Sequence, residues 1–132
     1  MQNRPTAAEL LNTVRELIAN EILPTLQDDG LRFKALIAAN LLAIVGRELT
    51  GGDPLIAAEL DRLHRLLPAI ELNASLSEAE SVNALNRALA DQIRHAPADS
   101  DLIAVGGPVW EHLKQTLRDQ LAIAAPKFDT AR

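Results

Sequence analysis

Four polar side chains accompany the most apolar stretch of the chain: Arg32, Asn40, Arg47 and Glu48. On one helix, Arg47 and Glu48 follow Asn40 by two turns, so they flank the stripe that carries it. Arg32 precedes Asn40 by two turns on the adjoining edge. A guanidinium binds carboxylate or phosphate through two oxygens at once, so this spacing is compatible with an anion site. Arginines at the ends of a buried helix also snorkel to solvent or pair structurally, and that interpretation stays open.

Asn40 is the only polar side chain among the twelve residues between Lys34 and Arg47. We expect its amide to be buried and therefore hydrogen-bonded, since an unsatisfied buried amide costs roughly 1–3 kcal/mol. It then either bonds a neighbouring backbone and fixes helix register, or contacts a ligand at the base of a pocket. Exposure at a partner interface is the third alternative.

The remaining side chains offer little other chemistry. His64 follows Asp61 at i+3, but a helical metal site needs further inward-facing carboxylates, and His95 and His112 are placed near helix ends. The glycine pairs lack the lysine of a phosphate-binding loop, and no serine has the setting of a nucleophile. We therefore expect no catalytic residue, no metal and no cofactor.

Composition narrows the class of protein. The 132 residues carry a formal net charge of −5 and no cysteine, and aromatic residues make up 2%. A duplex binder needs a basic patch and a single-strand binder needs aromatic platforms, so we expect no nucleic-acid partner. The N-terminus lacks the pattern of a secretory signal. The longest apolar run is shorter than the roughly 20 residues that a membrane-spanning helix needs. We expect one cytoplasmic domain, residues 1–132, without membrane contact.

Helical periodicity runs through the whole chain. Capping boxes at Thr6 and Ser77 predict two helix starts, and Gly51-Gly52-Asp53-Pro54 predicts the end of one helix and the start of the next. Residues 31–49 are apolar almost all round, which is typical of an enclosed helix. The prediction is an all-α fold of about five helices, with amphipathic helices packed around one buried central helix at 31–49.

The segments RPTAAELLNTVRELIANEILP, RFKALIAANLLAIVGREL and LRDQLAIAAPKF resemble a bacterial domain family of unknown function. Members of that family occur beside or fused to phosphotransferases resembling aminoglycoside kinases, and near acyl-CoA dehydrogenases. The resemblance implies a phosphotransferase or acyl-CoA dehydrogenase as partner in acyl-CoA-linked catabolism, and it carries no catalytic residues.

Two functions from different classes follow. The first is a non-catalytic helical accessory module, docking through apolar residues off the inward stripes, namely Leu11, Leu42, Leu49 and Leu66; the same surface would also suit a homodimer. The second is a small-ligand domain that binds an acyl chain or carboxylate in a pocket near Asn40 and Arg47.

Overall fold

The all-helical prediction is confirmed by a computed structural model, which describes residues 4–128 and shows no strand among them. Short π- and 3₁₀-helical turns occupy Leu17–Ile22, Leu23–Thr25 and Asp101–Ile103. The α-helices are α1 (Ala7–Glu16), α2 (Asp29–Leu66), α3 (Glu78–His95) and α4 (Pro108–Ala124).

The chain divides into two compact units, Met1–Asp53 and Pro54–Arg132. The first, called here the N-terminal unit, contains α1 and the beginning of α2. The second, the C-terminal unit, contains the rest of α2 with α3 and α4. The single domain over residues 1–132 stays a prediction, and its ends at 1–3 and 129–132 lie outside the described residues.

Both predicted capping boxes are confirmed. The Thr6 hydroxyl accepts from the Glu9 N–H at 3.2 Å and the Thr6 N–H donates to the Glu9 carboxylate at 2.6 Å. Ser77 and Glu80 repeat this exchange at the start of α3. Each box satisfies two backbone donors at an exposed helix end, which is why this signal is readable from local sequence.

The predicted break at residues 51–54 is wrong, and this reduces the predicted five helices to four. α2 continues through Gly51, Gly52 and Pro54. Glycine costs a helix about 1 kcal/mol relative to alanine, and an interior proline costs about 3 kcal/mol, because its N–H is missing and its ring clashes with the carbonyl four residues earlier. Long helix-favouring segments on both sides therefore carry the helix through these residues.

The prediction that residues 31–49 form a buried central helix is also wrong. Of residues 31–49, none is buried, and Phe33, Leu36 and Leu41 are more than half exposed. An apolar pattern all round a helix reports that its surface suits other apolar groups. It does not report that the same chain supplies them.

The hydrophobic core lies in the C-terminal unit, where side chains of α2, α3 and α4 meet. Its buried members are Leu63, Leu67, Val82, Leu85, Leu89 and Val109. Leu102 of the 3₁₀ turn and Ile93 pack against this cluster from its edge. On α4, Trp110, Leu113 and Leu117 are exposed, and the helix turns Val109 and His112 inward.

Candidate functional site

An exposed apolar row runs along α2 in the N-terminal unit. Its members are spaced by four residues and form one ridge of the helix surface, called here the α2 row: Phe33, Ile37, Leu41, Val45 and Leu49. Each of these side chains is between 42% and 64% exposed. Among residues 4–53, no hydrophobic side chain belongs to the buried core. This unit therefore presents its apolar surface outward.

A second, shorter row lies on α1 and on the first residue of the π-helical turn that follows it. Leu10, Val14 and Leu17 are each roughly half exposed and follow one another at helical spacing; they form the α1 row. Of the leucines predicted to make a contact surface, Leu49 belongs to the α2 row. Leu11, Leu42 and Leu66 are half-buried.

The four predicted polar residues lie at separate places on α2. Arg32 is exposed and donates to the Leu26 carbonyl at 3.4 Å. Asn40 is exposed, so the prediction of a buried amide is wrong: helix α1 covers another side of α2. Glu48 is exposed as well, whereas Arg47 is half-buried. They therefore do not share one enclosed site.

Arg47 lines a cavity of about 300 Å³ between α1 and α2. Its walls are Ala8, Asn12, Arg15, Leu42, Ala43, Gly46 and Arg47. Arg15 is already engaged there, because its Nε and Nη2 donate to the Asn12 side-chain oxygen at 3.1 and 2.8 Å. The cavity thus combines apolar walls with two guanidinium groups, while Asn40, Arg32 and Glu48 stand outside its lining.

A half-buried polar cluster lies in the C-terminal unit, and sequence analysis missed it. Arg62 Nη2 of α2 donates to Asp119 Oδ2 of α4 at 3.0 Å and to the Thr116 hydroxyl at 3.4 Å. Asn86 of α3 donates to Glu59 of α2 at 2.9 Å. These bonds connect α2 with each of the other helices of the unit.

His112 is the most buried polar group of this cluster. It is only 3% exposed, and neither ring nitrogen has a hydrogen-bond partner among the described residues. Burial lowers the pKa of His112, the positive charge of Arg62 lowers it further, and Glu59 opposes both. The ring is therefore held in its neutral form near pH 7. The available signal was the spacing of Val109, His112 and Thr116, which places all three on one face of α4.

The other histidines lie at the surface. His64 is exposed, and the His95 ring nitrogen Nδ1 lies 2.8 Å from the Asp91 carbonyl near the end of α3, as its position in the sequence predicts. Within residues 4–128, no cluster of three or more histidine, cysteine or acidic side chains could hold a metal ion.

None of the helices described has the length and apolar character needed to cross a membrane. Comparison with curated proteins gave no match, and comparison with solved structures gave none either. A family model does match, over residues 24–128, which takes in the α2 row, the cavity wall on α2 and the whole buried polar cluster. The chain belongs to the family described as a domain of unknown function (DUF6285).

Proposed function

We propose that this protein is a non-catalytic helical interaction module of the bacterial cytoplasm, and that its N-terminal unit is the docking unit. The observation that carries the proposal is the α2 row, an unbroken ridge of apolar side chains exposed over four turns. Monomeric soluble proteins seldom expose contiguous apolar patches beyond a few hundred Å², and larger ones mark interaction sites.

Burying a large aliphatic or aromatic side chain contributes about 1.5–3 kcal/mol, so covering five that are half exposed contributes roughly 4–7 kcal/mol. A partner that covers the row therefore gains a substantial part of its binding free energy there. The buried core lies in the C-terminal unit.

The class of partner follows from the family resemblance rather than from the contacts. It implies a kinase-like phosphotransferase or an acyl-CoA dehydrogenase, and thus a role in acyl-CoA-linked catabolism. Neighbourhood of this kind is an association, so the proposal requires a direct binding test.

That test is capture of partners from host lysate with the tagged full chain, followed by mass spectrometry. We expect stoichiometric recovery of a phosphotransferase or an acyl-CoA dehydrogenase. Val14→Glu in the α1 row and Leu41→Glu in the α2 row should each be tested, and loss of recovery with either assigns the docking surface.

Leu117→Glu is the matched control, because Leu117 of α4 is as exposed as Leu41 and lies outside the N-terminal unit. Retained capture with this variant shows that an added charge alone is harmless. Recovery of neither enzyme with the unmodified chain, or capture unaffected by both row variants, contradicts the proposal.

A second candidate function rests on the cavity beside Arg47. Its apolar walls and two arginines suit a short acyl chain ending in a carboxylate. Decanoate is a suitable probe, and native mass spectrometry or a rise in melting temperature would show binding. Ala43→Phe fills the cavity and should abolish binding, whereas Asn40→Ala, outside the lining, should not.

A further inference from the structure

We infer that the α2 row binds the same row of a second copy of this chain, with the two α2 helices antiparallel and Leu41 on the two-fold axis. The inference rests on the proposed function, since it names the occupant of one docking surface. The charged residues beside the row and the central position of Leu41 indicate that the partner is a second copy and that the two helices are antiparallel.

Two opposite charges stand beside the row. Lys34 and Glu48 are each seven residues from Leu41, so both project within about 20° of its direction on the helix. Both are exposed, and neither forms an ion pair within the described chain. Leu41 is thus flanked symmetrically by a cation two turns before it and an anion two turns after it.

This arrangement is self-complementary only when the helices run antiparallel. A two-fold axis at Leu41 then places Lys34 of each copy opposite Glu48 of the other. It also places Ile37 level with Val45 and Phe33 level with Leu49, so both copies supply apolar residues at each level of the contact. A parallel pair in register would set Lys34 against Lys34 and Glu48 against Glu48, and like charges oppose such pairing.

The length of the available helix agrees with the same axis. The N-terminal unit's share of α2 runs from Asp29 to Asp53, and Leu41 stands twelve residues from each end. An antiparallel pair centred on Leu41 therefore overlaps over all of that segment. A two-fold dimer is also the commonest closed assembly of soluble proteins, and it needs this kind of self-complementary surface.

The area of the α2 row is that of a small, weak interface. The five half-exposed side chains of the row give on the order of a few hundred Å² of contiguous apolar surface per copy. The stems of Lys34 and Glu48 extend it at both ends. This patch is smaller than the roughly 800 Å² per partner of a standard interface, so we expect a reversible dimer whose population depends on concentration.

Sedimentation equilibrium of the full chain from about 1 to 200 µM tests the inference. We expect a concentration-dependent shift from the 14.3 kDa chain mass to twice that value. Leu41→Glu should leave the chain monomeric across this range, and Leu117→Glu should dimerise like the unmodified chain. Helix content by circular dichroism should be unchanged in both variants, because both side chains are exposed.

A charge exchange tests the orientation. Lys34→Glu creates two like-charge pairs across an antiparallel dimer, and at low salt it should weaken dimerisation by roughly 10-fold or more. Glu48→Lys should do the same. The double variant Lys34→Glu, Glu48→Lys restores both opposite pairs and should recover the original affinity. The two residues lie 14 positions apart on one helix, about 21 Å, so recovery reports pairing between copies.

Because the chain has no cysteine, Leu41→Cys gives a single thiol. It should form a symmetric cross-link between copies on oxidation, and Leu117→Cys should not. A monomer at every concentration overturns the inference, as does a dimer that survives Leu41→Glu or a double variant that stays weak. The unmodified chain could instead stay monomeric and still capture an enzyme, with capture lost in Val14→Glu. That outcome would reject the dimer and leave the proposed docking function standing.

Discussion

Arg62 and Asp119 form a hydrogen-bonded ion pair that joins α2 to α4, with 3.0 Å between Nη2 and Oδ2. Their side chains are 18% and 17% exposed, which distinguishes them from the other ion pairs of the described residues. Asp119 also accepts from the Gln115 amide at 2.8 Å. The pair lies beside the neutral, buried ring of His112, so the C-terminal unit combines its apolar core with charge that has been largely withdrawn from water.

Removing one partner of this pair should be costly. Asp119→Ala leaves the Arg62 guanidinium half-buried without its carboxylate, and we expect the free energy of unfolding to fall by about 2–4 kcal/mol. Chemical denaturation followed by Trp110 fluorescence measures this, since Trp110 is the only tryptophan and lies on α4. Asp91→Ala is the matched control: its pair with Arg94 is exposed, so the loss should stay below about 1 kcal/mol. Equal losses in the two variants would contradict this assignment.

His112 should make the free energy of unfolding fall as pH drops below about 6.5, the ordinary pKa of histidine. Its pKa is lowered in the folded state, so in the unfolded chain the ring binds a proton near its ordinary value of 6.5, before the folded ring does. The contribution of the neutral ring to the free energy of unfolding is then fully present above pH 6.5, and it is lost as pH drops through the folded-state pKa. Denaturation midpoints at several pH values from 7.5 to 5 measure this fall.

His112→Leu should remove that component of the pH dependence. At pH 7 the leucine should be tolerated, because it replaces a ring whose two nitrogens have no hydrogen-bond partner in the described chain. His64→Gln, at an exposed position of α2, controls for loss of a histidine as such. A slope that persists in the leucine variant would assign the pH dependence to other groups.

The N-caps should contribute independently of the buried cluster. Ser77→Ala removes the hydroxyl that accepts from the Glu80 N–H and donates to its carboxylate, so the free energy of unfolding should fall by about 1 kcal/mol. These bonds lower the pKa of Glu80, so the variant should also lose stability less steeply as pH falls below 4.5. Ser77→Asp keeps an accepting oxygen and should recover most of the loss in thermal denaturation. If Ser77→Asp recovered no stability, the loss in Ser77→Ala would not be due to the missing cap.

The features that sequence predicted correctly are those decided within one turn of chain. Thr6 and Ser77 cap their helices through residues three positions away, and no distant contact is needed to read that. Burial is different because it depends on which neighbours arrive. Leu41 has the sequence environment of a core residue but is 55% exposed, and His112, assigned to a helix end, is only 3% exposed.

The candidate site shows the same division. The apolar character of residues 31–49 was predicted from sequence, but the positions of Arg32, Asn40 and Glu48 outside the lining of the cavity beside Arg47 were not. Positions on a helix fix which side chains share a face. They do not fix which face another helix covers, and α1 covers the side of α2 that carries Ala43 and Arg47.

Two glycines provide a test of the continuous α2. Gly51 lies inside the helix, and a Cβ built there meets nothing within 4 Å, so Gly51→Ala should raise the free energy of unfolding by about 0.5–1 kcal/mol. Gly106 has φ of +81°, a conformation that costs an L-residue roughly 1–2 kcal/mol, so Gly106→Ala should destabilise instead. Thermal denaturation followed by circular dichroism compares the two variants directly. A chain that broke at Gly51 to form a glycine-dependent turn would give a different result. Alanine at Gly51 would then lower the melting temperature, as we expect at Gly106, and the two variants would not differ in sign.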